Sequence, residues 1–545
     1  MAKSSNEILV VGAGPTGLTM ACSLLRHGVP ARLIEKTEVG SKESRAISIQ
    51  PRTMEVLEEI GVLDPILSIG RRLSIANAYR GEKRVLRLSF SKLDAPYPFI
   101  LLCPQDETER ILENRLKELG GEVERSVELV SFNQDDGKVF SKLKSSDGSE
   151  NTFTSSYLVG CDGVNSVVRK EININFEGYS FEETFAIADL SLFWNRANDE
   201  GHFFLSPDGI VMVVPLPGND VYRIFVKLDE ESNRDNLSLE FFQSIIDRRL
   251  PSYPHISLHS PTWMTPFNIH YRVASSFQKG KVFLAGEAAH VHGPLLGQGM
   301  NLGIQDSYNL AWKLASVQSG VGRKHLLKSY TIERHPIAAN TLTATEFFIK
   351  TVSLPIFWMQ FLRNLFIRIV LKPKSIQNFI KRAISQLASH YRKSLIVKDA
   401  FPWGFLKRGL KPGDRVPDIA KVQSYYIEDG QRLFDLFRGT KHHLLLFCGT
   451  KPSEQVLKRL QKIATEVTKK YEKLIVSHMV LSPEIEQKEQ FSLPTVLKDE
   501  DGTFHKTCGV KTETLLLVRP DGYIGFRSRP AKAKTLFKYL EEYFA

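Results

Sequence analysis

Residues 8–17 read ILVVGAGPTG, and residues 31–35 read ARLIE. The first segment is an apolar run that meets a glycine-rich turn, and the residues after the turn place apolar side chains at helical spacing up to Gly28. A strand, a glycine-rich turn, a helix and a second strand that ends on an acid form a βαβ unit of the kind that binds dinucleotides. The pattern therefore predicts an α/β fold that opens with a dinucleotide-binding site.

Each glycine of this turn meets a separate physical need. Gly12 permits the tight turn, Gly14 lets the backbone approach a pyrophosphate, and Gly17 lets the helix pack closely on the strand. The start of the helix offers unpaired N–H groups and the positive end of its dipole to the phosphates. Glu35 ends the second strand, where it is placed to accept hydrogen bonds from an adenosine ribose. These residues together predict one complete dinucleotide site.

The character of the chain changes beyond this unit. From 176 to 272 it is rich in β-type runs separated by turn residues, which indicates a sheet inserted into the α/β domain. At Gly280 the α/β character returns, with a short apolar run, a glycine-rich loop and a long helical stretch from 301 to 317. A turn at 411–414 then marks the start of a separate small α/β domain.

Three further motifs follow the glycine turn in order: residues 160–169 read GCDGVNSVVR, residues 285–290 read AGEAAH, and residues 294–301 read PLLGQGMN. With these motifs the chain resembles the class A FAD-dependent aromatic hydroxylases, a family with the fold of p-hydroxybenzoate hydroxylase. The resemblance spans most of the first 340 residues and includes SRA at 44–46, PRT at 51–53, Gln105 with Glu109, and ERHP at 333–336.

The resemblance implies a cofactor, a co-substrate and a domain plan. The cofactor is noncovalent FAD, and NAD(P)H binds only transiently, because the chain carries a single dinucleotide motif. In the family, reduced flavin captures O₂ as a C4a-hydroperoxide that hydroxylates an aromatic substrate, here expected to be phenolic or polycyclic. A Rossmann-like FAD domain is expected from 1–75, 99–174 and 278–350, with a β-sheet substrate domain from 76–98 and 175–277.

The resemblance also implies roles for individual residues. Arg45 would contact FAD phosphate and support movement of the flavin, Pro294 would lie over the flavin face where O₂ reacts, and Asp162 would lie beside the pyrophosphate and the NAD(P)H path. Family members usually carry Asp where this chain has Glu287, so the carboxylate near the ribityl chain is one methylene longer. The predicted cofactor-binding set is Gly12, Gly14, Gly17, Glu35, Arg45, Gln105, Asp162, Gly286, Glu287, Gly299, Met300 and Asn301.

The wall of the substrate pocket is predicted on the inserted sheet. Ile210, Met212 and Val214 alternate along one run and would share a face, and Phe267 and His270 would join them. Ordinary core packing explains the same alternation equally well.

Cysteines and histidines give no sign of a metal site. The five cysteines are scattered and never stand in C-x-x-C spacing, which argues against a disulfide framework and favours a reducing, cytoplasmic location. His290 and His292 have no third potential ligand close by, which favours structural roles. No metal is therefore predicted.

The segment 411–545 resembles the thioredoxin-like domain that follows the catalytic part in phenol-hydroxylase-type members. The motifs that carry this resemblance are GDRVPD at 413–418 and LVRPDGY at 517–523. Cys448 lies where such a domain could hold a redox pair, but no second cysteine accompanies it. Disulfide exchange is thus excluded, and support of the substrate pocket or of a homodimer interface is expected.

The formal net charge of +11 resides largely in one segment. Residues 351–410 contain eleven Lys or Arg against one acid, Asp399, so this predicted helical connector carries +10 and the rest of the chain is nearly neutral. That distribution argues against a nucleic-acid-binding protein. Part of the connector, 354–382, combines apolar and basic residues; it either packs between the domains or makes a weak contact with an anionic membrane surface.

The main hypothesis is an FAD-dependent monooxygenase that uses NAD(P)H and O₂. Two alternatives stay open at this point. One is an epoxidase or quinone-ring hydroxylase that acts on a lipid-like substrate at a membrane surface. The other is a catalytically silent FAD-binding or interaction protein, which the unusual Glu287 would explain.

Overall fold

The chain forms two compact units in the computed structural model. The first comprises Met1–Leu25, Pro30–Ser307 and His335–Ala388, and the second comprises Arg26–Val29, Tyr308–Arg334 and Ser389–Ala545. The residues described are 6–40, 46–135, 137–228, 237–253, 255–293, 297–352, 373–401, 409–419, 423–424, 432–485 and 495–545.

A six-stranded sheet in the first unit contains the predicted βαβ unit. Ile8–Val11 pairs in parallel with Tyr157–Gly160 on one side and Ala31–Glu35 on the other, and all four of its residues are buried, as expected for a parallel strand covered on both faces. Because parallel strands end at the same edge, the glycine turn, the Asp-Gly motif and Glu35 come together there. The strand order is Gln278–Lys279, Val282–Leu284, Tyr157–Gly160, Ile8–Val11, Ala31–Glu35 and Val123–Arg125.

The first unit also contains helices and two small three-stranded sheets. Pro51–Ile60 begins with a proline, whose fixed φ suits the first helical turn, and ends at Gly61 in the left-handed region. The other helices that begin in the first unit are Pro15–Arg26, Leu63–Ile69, Gln105–Glu118, Val167–Glu171, Leu239–Arg249, Gly299–Gln318 and Lys374–Ile384. One small sheet contains Ser48–Ile49, Ile100–Leu102 and Arg71–Leu73, and the other contains Val127–Gln134, Val139–Ser145 and Glu150–Ser155.

A larger, eight-stranded sheet forms the second layer of the first unit. The strand Gly209–Pro215 is buried throughout, and its side chains alternate between two apolar clusters: Ile210 and Met212 pack in one, Val211 and Val213 in the other. The sheet is thus covered on both faces. Its strand order is His290–Val291, Ser257–Ala274, Phe176–Phe193, Val221–Lys227, Gly209–Pro215, Glu200–Ser206, Ile75–Arg80 and Lys83–Ser89.

The second unit is built on a seven-stranded mixed sheet. Its buried strand His442–Gly449 pairs in parallel with Ile475–Leu481 and antiparallel with Thr512–Val518. The strand order is Lys398–Ala400, Ile524–Ser528, Thr512–Val518, His442–Gly449, Ile475–Leu481, Thr495–Lys498 and Gln423–Ser424. The helices that begin in this unit are the 3₁₀ helix Lys324–Lys328 and the α-helices Ser329–Val352, Leu433–Leu436, Glu454–Tyr471, Thr503–Cys508 and Ala533–Tyr543.

The predicted α/β class is confirmed in its coarse form, a mixed α/β protein with several sheets. The finer four-part division of the chain stays a prediction. Most of the apolar and basic segment 354–382 lies outside the described residues, which stop at 352 and resume at 373. Across the described part of the chain, no helix combines the length and apolar character needed to cross a bilayer.

Candidate active site

The three glycines of the first turn differ in what surrounds them. Gly12 has a φ of +100°, and a Cβ added there would lie 2.4 Å from the carbonyl oxygen of Cys161. A Cβ on Gly17 would lie 1.8 Å from the carbonyl oxygen of Gly12. A Cβ on Gly14, in contrast, would meet no atom of the described residues within 4 Å. Gly12 and Gly17 are therefore required by the fold itself, whereas Gly14 faces open space that a ligand can enter.

Glu35 lies beside this turn. One carboxylate oxygen, Oε2, accepts a hydrogen bond from the backbone N–H of Ala13 at 2.9 Å. The other, Oε1, accepts from the backbone N–H and the hydroxyl of Thr37 at 3.1 and 3.0 Å. Oε2 accepts only one hydrogen bond and keeps a second lone-pair site, and the side chain is partly open to solvent. The group is thus oriented at the turn and still able to accept from a ribose.

The Asp-Gly motif forms a helix cap at the same edge of the sheet. Asp162 accepts from the hydroxyl of Ser166 at 2.6 Å and from the backbone N–H of Val168 at 3.2 Å, at the start of Val167–Glu171. Burial raises the pKa of Asp162, and its hydrogen bonds act in the opposite direction. Arg169 donates to the carbonyls of Val164 and Ala288 at 2.7 and 2.9 Å. This arginine, which was not singled out from the sequence, joins the motif to the next turn.

That next turn is the 3₁₀ segment Gly286–Ala288, and a buried acid holds it. Asp306 accepts from the backbone N–H of Gly286 at 3.1 Å and is paired with His290 Nε2 at 2.7 Å. Glu287 is exposed. Asp306 was missed in the sequence; the available signal was an acid on an apolar helix, where a charged group needs a buried partner. The pairing of His290 agrees with the structural role predicted for it.

The helix Gly299–Gln318 is anchored through its first turn. Asn301, fully buried, donates to the carbonyls of Ser48 and Gly297, both at 2.7 Å, and accepts from the backbone N–H of Gln50 at 2.8 Å. The side chain of Asn301 is thus committed to protein groups. The contribution of Gly299, Met300 and Asn301 to a ligand would come from the backbone N–H groups of the first turn, which lack partners within the helix.

Gln105 holds the chain next to Arg45. Its Oε1 accepts from the backbone N–H of Ala46 at 3.3 Å, and its Nε2 donates to Glu109 at 2.8 Å. Arg45 and Pro294 lie outside the described residues, so their predicted contacts stay predictions.

The predicted substrate-pocket residues are brought together only in part. Ile210, Met212, Val214 and Phe267 belong to one apolar cluster, in which the Phe267 ring lies 5.9 Å from that of Phe185. His270 stands three residues after Phe267 on the same strand and therefore points to the opposite face, where its Nδ1 lies 2.8 Å from the Ser180 hydroxyl. His270 does not share the cluster with the other four residues.

This arrangement fits a flavin dinucleotide. The Gly14 side of the turn is open, an oriented carboxylate stands at the ribose end, and the Gly286–Ala288 turn and the first turn of Gly299–Gln318 lie further along the same chain path. Comparison with known families decides the matter: residues 5–345 match the FAD binding domain family. The chain belongs to this family. The predicted resemblance to the FAD-dependent aromatic hydroxylases is thereby confirmed.

Relatives of this flavoprotein match it over nearly its whole length. Pentachlorophenol 4-monooxygenase of Sphingobium chlorophenolicum is 32% identical over 96% of this chain and 93% of its own. The 6-methylpretetramide 4-monooxygenase of Streptomyces rimosus is 30% identical over 98% of this chain and 93% of its own. Among solved structures, the OxyS anhydrotetracycline hydroxylase of Streptomyces rimosus shares 26% identity and a TM-score of 0.75, covering 99% of both chains.

Proposed function

We propose that this flavoprotein monooxygenase hydroxylates a phenolic or polycyclic aromatic compound with NAD(P)H and O₂. One oxygen atom enters the substrate, the other leaves as water, and NAD(P)H supplies the two electrons. The observation that carries the proposal is the match, over nearly the whole chain, to the pentachlorophenol and 6-methylpretetramide monooxygenases. The open Gly14 turn supports it as the place where FAD binds.

FAD would supply the redox chemistry, and the protein would position and enclose it. The turn at Gly12 and Gly14, followed by the helix start at Pro15, would hold the pyrophosphate, and Glu35 would hold the ribose. The first turn of Gly299–Gln318 would direct its N–H groups and dipole at the flavin ring, where they stabilise negative charge on the reduced form.

Part of the mechanism concerns NAD(P)H. We assign Asp162 and Arg45 to its transient path and Pro294 to the flavin face that meets O₂, as the resemblance implies. The hydrogen bonds of Asp162 to Ser166 and Val168 give it a second role in holding the local backbone. The apolar wall of Ile210, Met212 and Val214 would exclude water from the reacting centre.

The finer architecture is also part of the proposal: a Rossmann-like FAD domain, an inserted sheet domain and a thioredoxin-like domain over 411–545. Cys448 is buried, and burial raises the pKa of its thiol to about 11, so it stays protonated near neutral pH. A protonated, lone thiol suits a structural role. A cytoplasmic location and a homodimer belong to the same proposal.

The lipid-like alternative rests on residues 354–382. The helix Lys374–Ile384 carries Phe379, which is 67% exposed, and the same helix contains the basic Lys374 and Arg382. An exposed aromatic residue on a helix that also carries basic residues suits an anionic membrane surface. Flotation with anionic and with neutral liposomes separates this alternative from the main proposal.

The experiment that tests the proposed function is a substrate screen on the purified, FAD-loaded protein. We expect at least one phenol, naphthol, hydroxyanthraquinone or tetracycline intermediate to accelerate NAD(P)H oxidation about ten-fold or more above the rate without substrate. Oxygen uptake should rise in parallel. A protein that retains FAD but oxidises NAD(P)H at the same rate with every compound would support the silent FAD-binding alternative.

A further inference from the structure

The hydroxyl of Tyr271 is a buried polar group in apolar surroundings. Tyr271 lies on the strand Ser257–Ala274, is 2% exposed, and packs in the apolar cluster that contains Ile210, Met212 and Val214. Its ring lies edge-on to Phe181 with centroids 5.6 Å apart. The hydroxyl has no hydrogen-bond partner among the described residues.

An unsatisfied hydroxyl at such a position calls for an explanation. Burial of a donor without a partner carries the full desolvation penalty of that group, so native proteins seldom tolerate it without water or a ligand. Burial raises the pKa of Tyr271, with smaller contributions from Tyr179 and Glu346, so the phenol stays protonated. The group is therefore a hydrogen-bond donor at physiological pH.

The place of this hydroxyl in the fold connects it to the flavin site. A Cβ built on Gly293 would lie 3.2 Å from the Tyr271 oxygen, so the hydroxyl lies close to Gly293, five residues after the end of the Gly286–Ala288 turn. The neighbouring His292 supplies an independent observation. Its Nε2 is shielded from solvent and also lacks a partner among the described residues, and a Cβ on Gly299 would lie 4.0 Å from it.

His292 differs from Tyr271 in the chemistry it offers. Burial lowers its pKa to about 4, and the neighbouring His290 acts in the same direction, so the imidazole is neutral at pH 7. A neutral imidazole can accept as well as donate a hydrogen bond. Binding pockets for small molecules are commonly apolar with a few polar groups that fix the orientation of the ligand. The unsatisfied hydroxyl of Tyr271 within its apolar cluster matches that description, and the unsatisfied Nε2 of His292 lies next in sequence to Gly293, which the hydroxyl approaches.

We propose that Tyr271 contacts the substrate and that its O–H donates a hydrogen bond to an oxygen on the aromatic ring. The inference rests on the proposed function and narrows its substrate class to aromatics that carry a hydroxyl or phenolate oxygen. Tyr271 is then a specificity-determining residue: it favours the oxygenated ring over the same ring without oxygen and orients it beside Gly293.

The test compares Tyr271→Phe with Tyr79→Phe in the FAD-loaded, full-length protein. Tyr79 lies on the same sheet in the opposite apolar cluster, and its hydroxyl has a partner, Arg196, at 2.7 Å. Dissociation constants are measured from the change in flavin absorbance for pentachlorophenol, 1-naphthol, emodin and anhydrotetracycline. The tightest of these probes is then compared with its analogue that lacks the ring hydroxyl.

We expect Tyr271→Phe to raise the dissociation constant of the hydroxylated probe about ten-fold. The dissociation constant of the deoxygenated analogue should stay within about two-fold of the wild-type value, and Tyr79→Phe should change neither constant. Thermal stability without ligand should be unchanged or higher in Tyr271→Phe, because an unsatisfied donor is removed. The inference would be overturned if Tyr271→Phe weakened the binding of both probes equally, weakened the binding of neither, or lost thermal stability. Failure of every hydroxylated probe to bind the wild-type protein would also overturn it. A wild-type protein that neither binds FAD nor oxidises NAD(P)H would instead refute the proposed function.

Discussion

Replacement of Gly14 by valine is expected to weaken FAD binding by about 100-fold or more, equivalent to about 2.7 kcal/mol, and to leave the apoprotein folded. The reason is the asymmetry of the glycine turn. A Cβ on Gly14 meets no described protein atom within 4 Å, so the new side chain occupies only the space through which a pyrophosphate would approach. Gly14 also precedes Pro15, where a β-branched residue in an extended conformation is acceptable.

Gly28→Ala is the matched control for the Gly14 variant. Gly28 also faces open space among the described residues, but its φ is +74°, so alanine there costs about 1 kcal/mol through backbone strain and lies outside the predicted site. The measurements are flavin retained per chain after gel filtration, the FAD dissociation constant from fluorescence quenching, and the melting temperature of each apoprotein. Normal FAD affinity in Gly14→Val, or a melting temperature far below that of Gly28→Ala, would contradict this account of the turn.

Arg519→Met is expected to destabilise the second unit by about 3–5 kcal/mol. Arg519 donates to both carboxylate oxygens of Glu333, at 2.6 and 2.9 Å, and to Asp521 Oδ1 at 2.9 Å. Lys313 donates to Glu333 at 2.7 Å and to Asn309 at 2.8 Å. All of these side chains are fully or almost fully buried. The two cations therefore balance the two carboxylates out of contact with water.

Loss of one cation would leave a buried carboxylate without its partner. Burial acts to raise the pKa of Glu333, but Arg519 and Lys313 outweigh that effect and hold the pKa below its usual range. Arg438→Met is the control, because Arg438 is about half exposed and pairs with Asp435 at 2.9 Å; such surface pairs contribute about 0–1 kcal/mol. Urea unfolding followed by fluorescence gives the free energy of unfolding of each variant. A difference below about 1 kcal/mol between the two variants in this free energy would refute the importance of the buried cluster.

The glycine turn could be predicted from the sequence because its requirements are local. The positive φ at Gly12 and the close approach of Gly17 to the carbonyl of Gly12 are local to the turn, and the order of strand, turn and helix is visible in the residue pattern, whereas the contact of Gly12 with Cys161 is not. The alternation of Ile210, Met212 and Val214 was likewise readable, since a strand places every second side chain on one face. The same rule, applied to Phe267 and His270, would have separated them.

Other parts of the site depend on contacts between distant residues. The carboxylate of Asp306 reaches back to Gly286 and His290, and Arg169 reaches forward to Ala288 across 119 positions of sequence. The partners of Glu333 include Arg519, 186 residues away. Nothing in a single sequence pairs such residues, because the helices and strands that bring them together are positioned by the packing of the whole unit.

The most direct test of the central claim is isotope labelling of the hydroxylated product. The FAD-loaded protein is supplied with NAD(P)H, the most active compound from the substrate screen and ¹⁸O₂ in unlabelled water. Mass spectrometry of the product is combined with the amounts of NAD(P)H and O₂ consumed. The account predicts one ¹⁸O atom in each product molecule and equal consumption of NAD(P)H and O₂ for each hydroxylation in coupled turnover. A product that carries only oxygen from water, or NAD(P)H oxidation with no hydroxylated product from any compound, would contradict it.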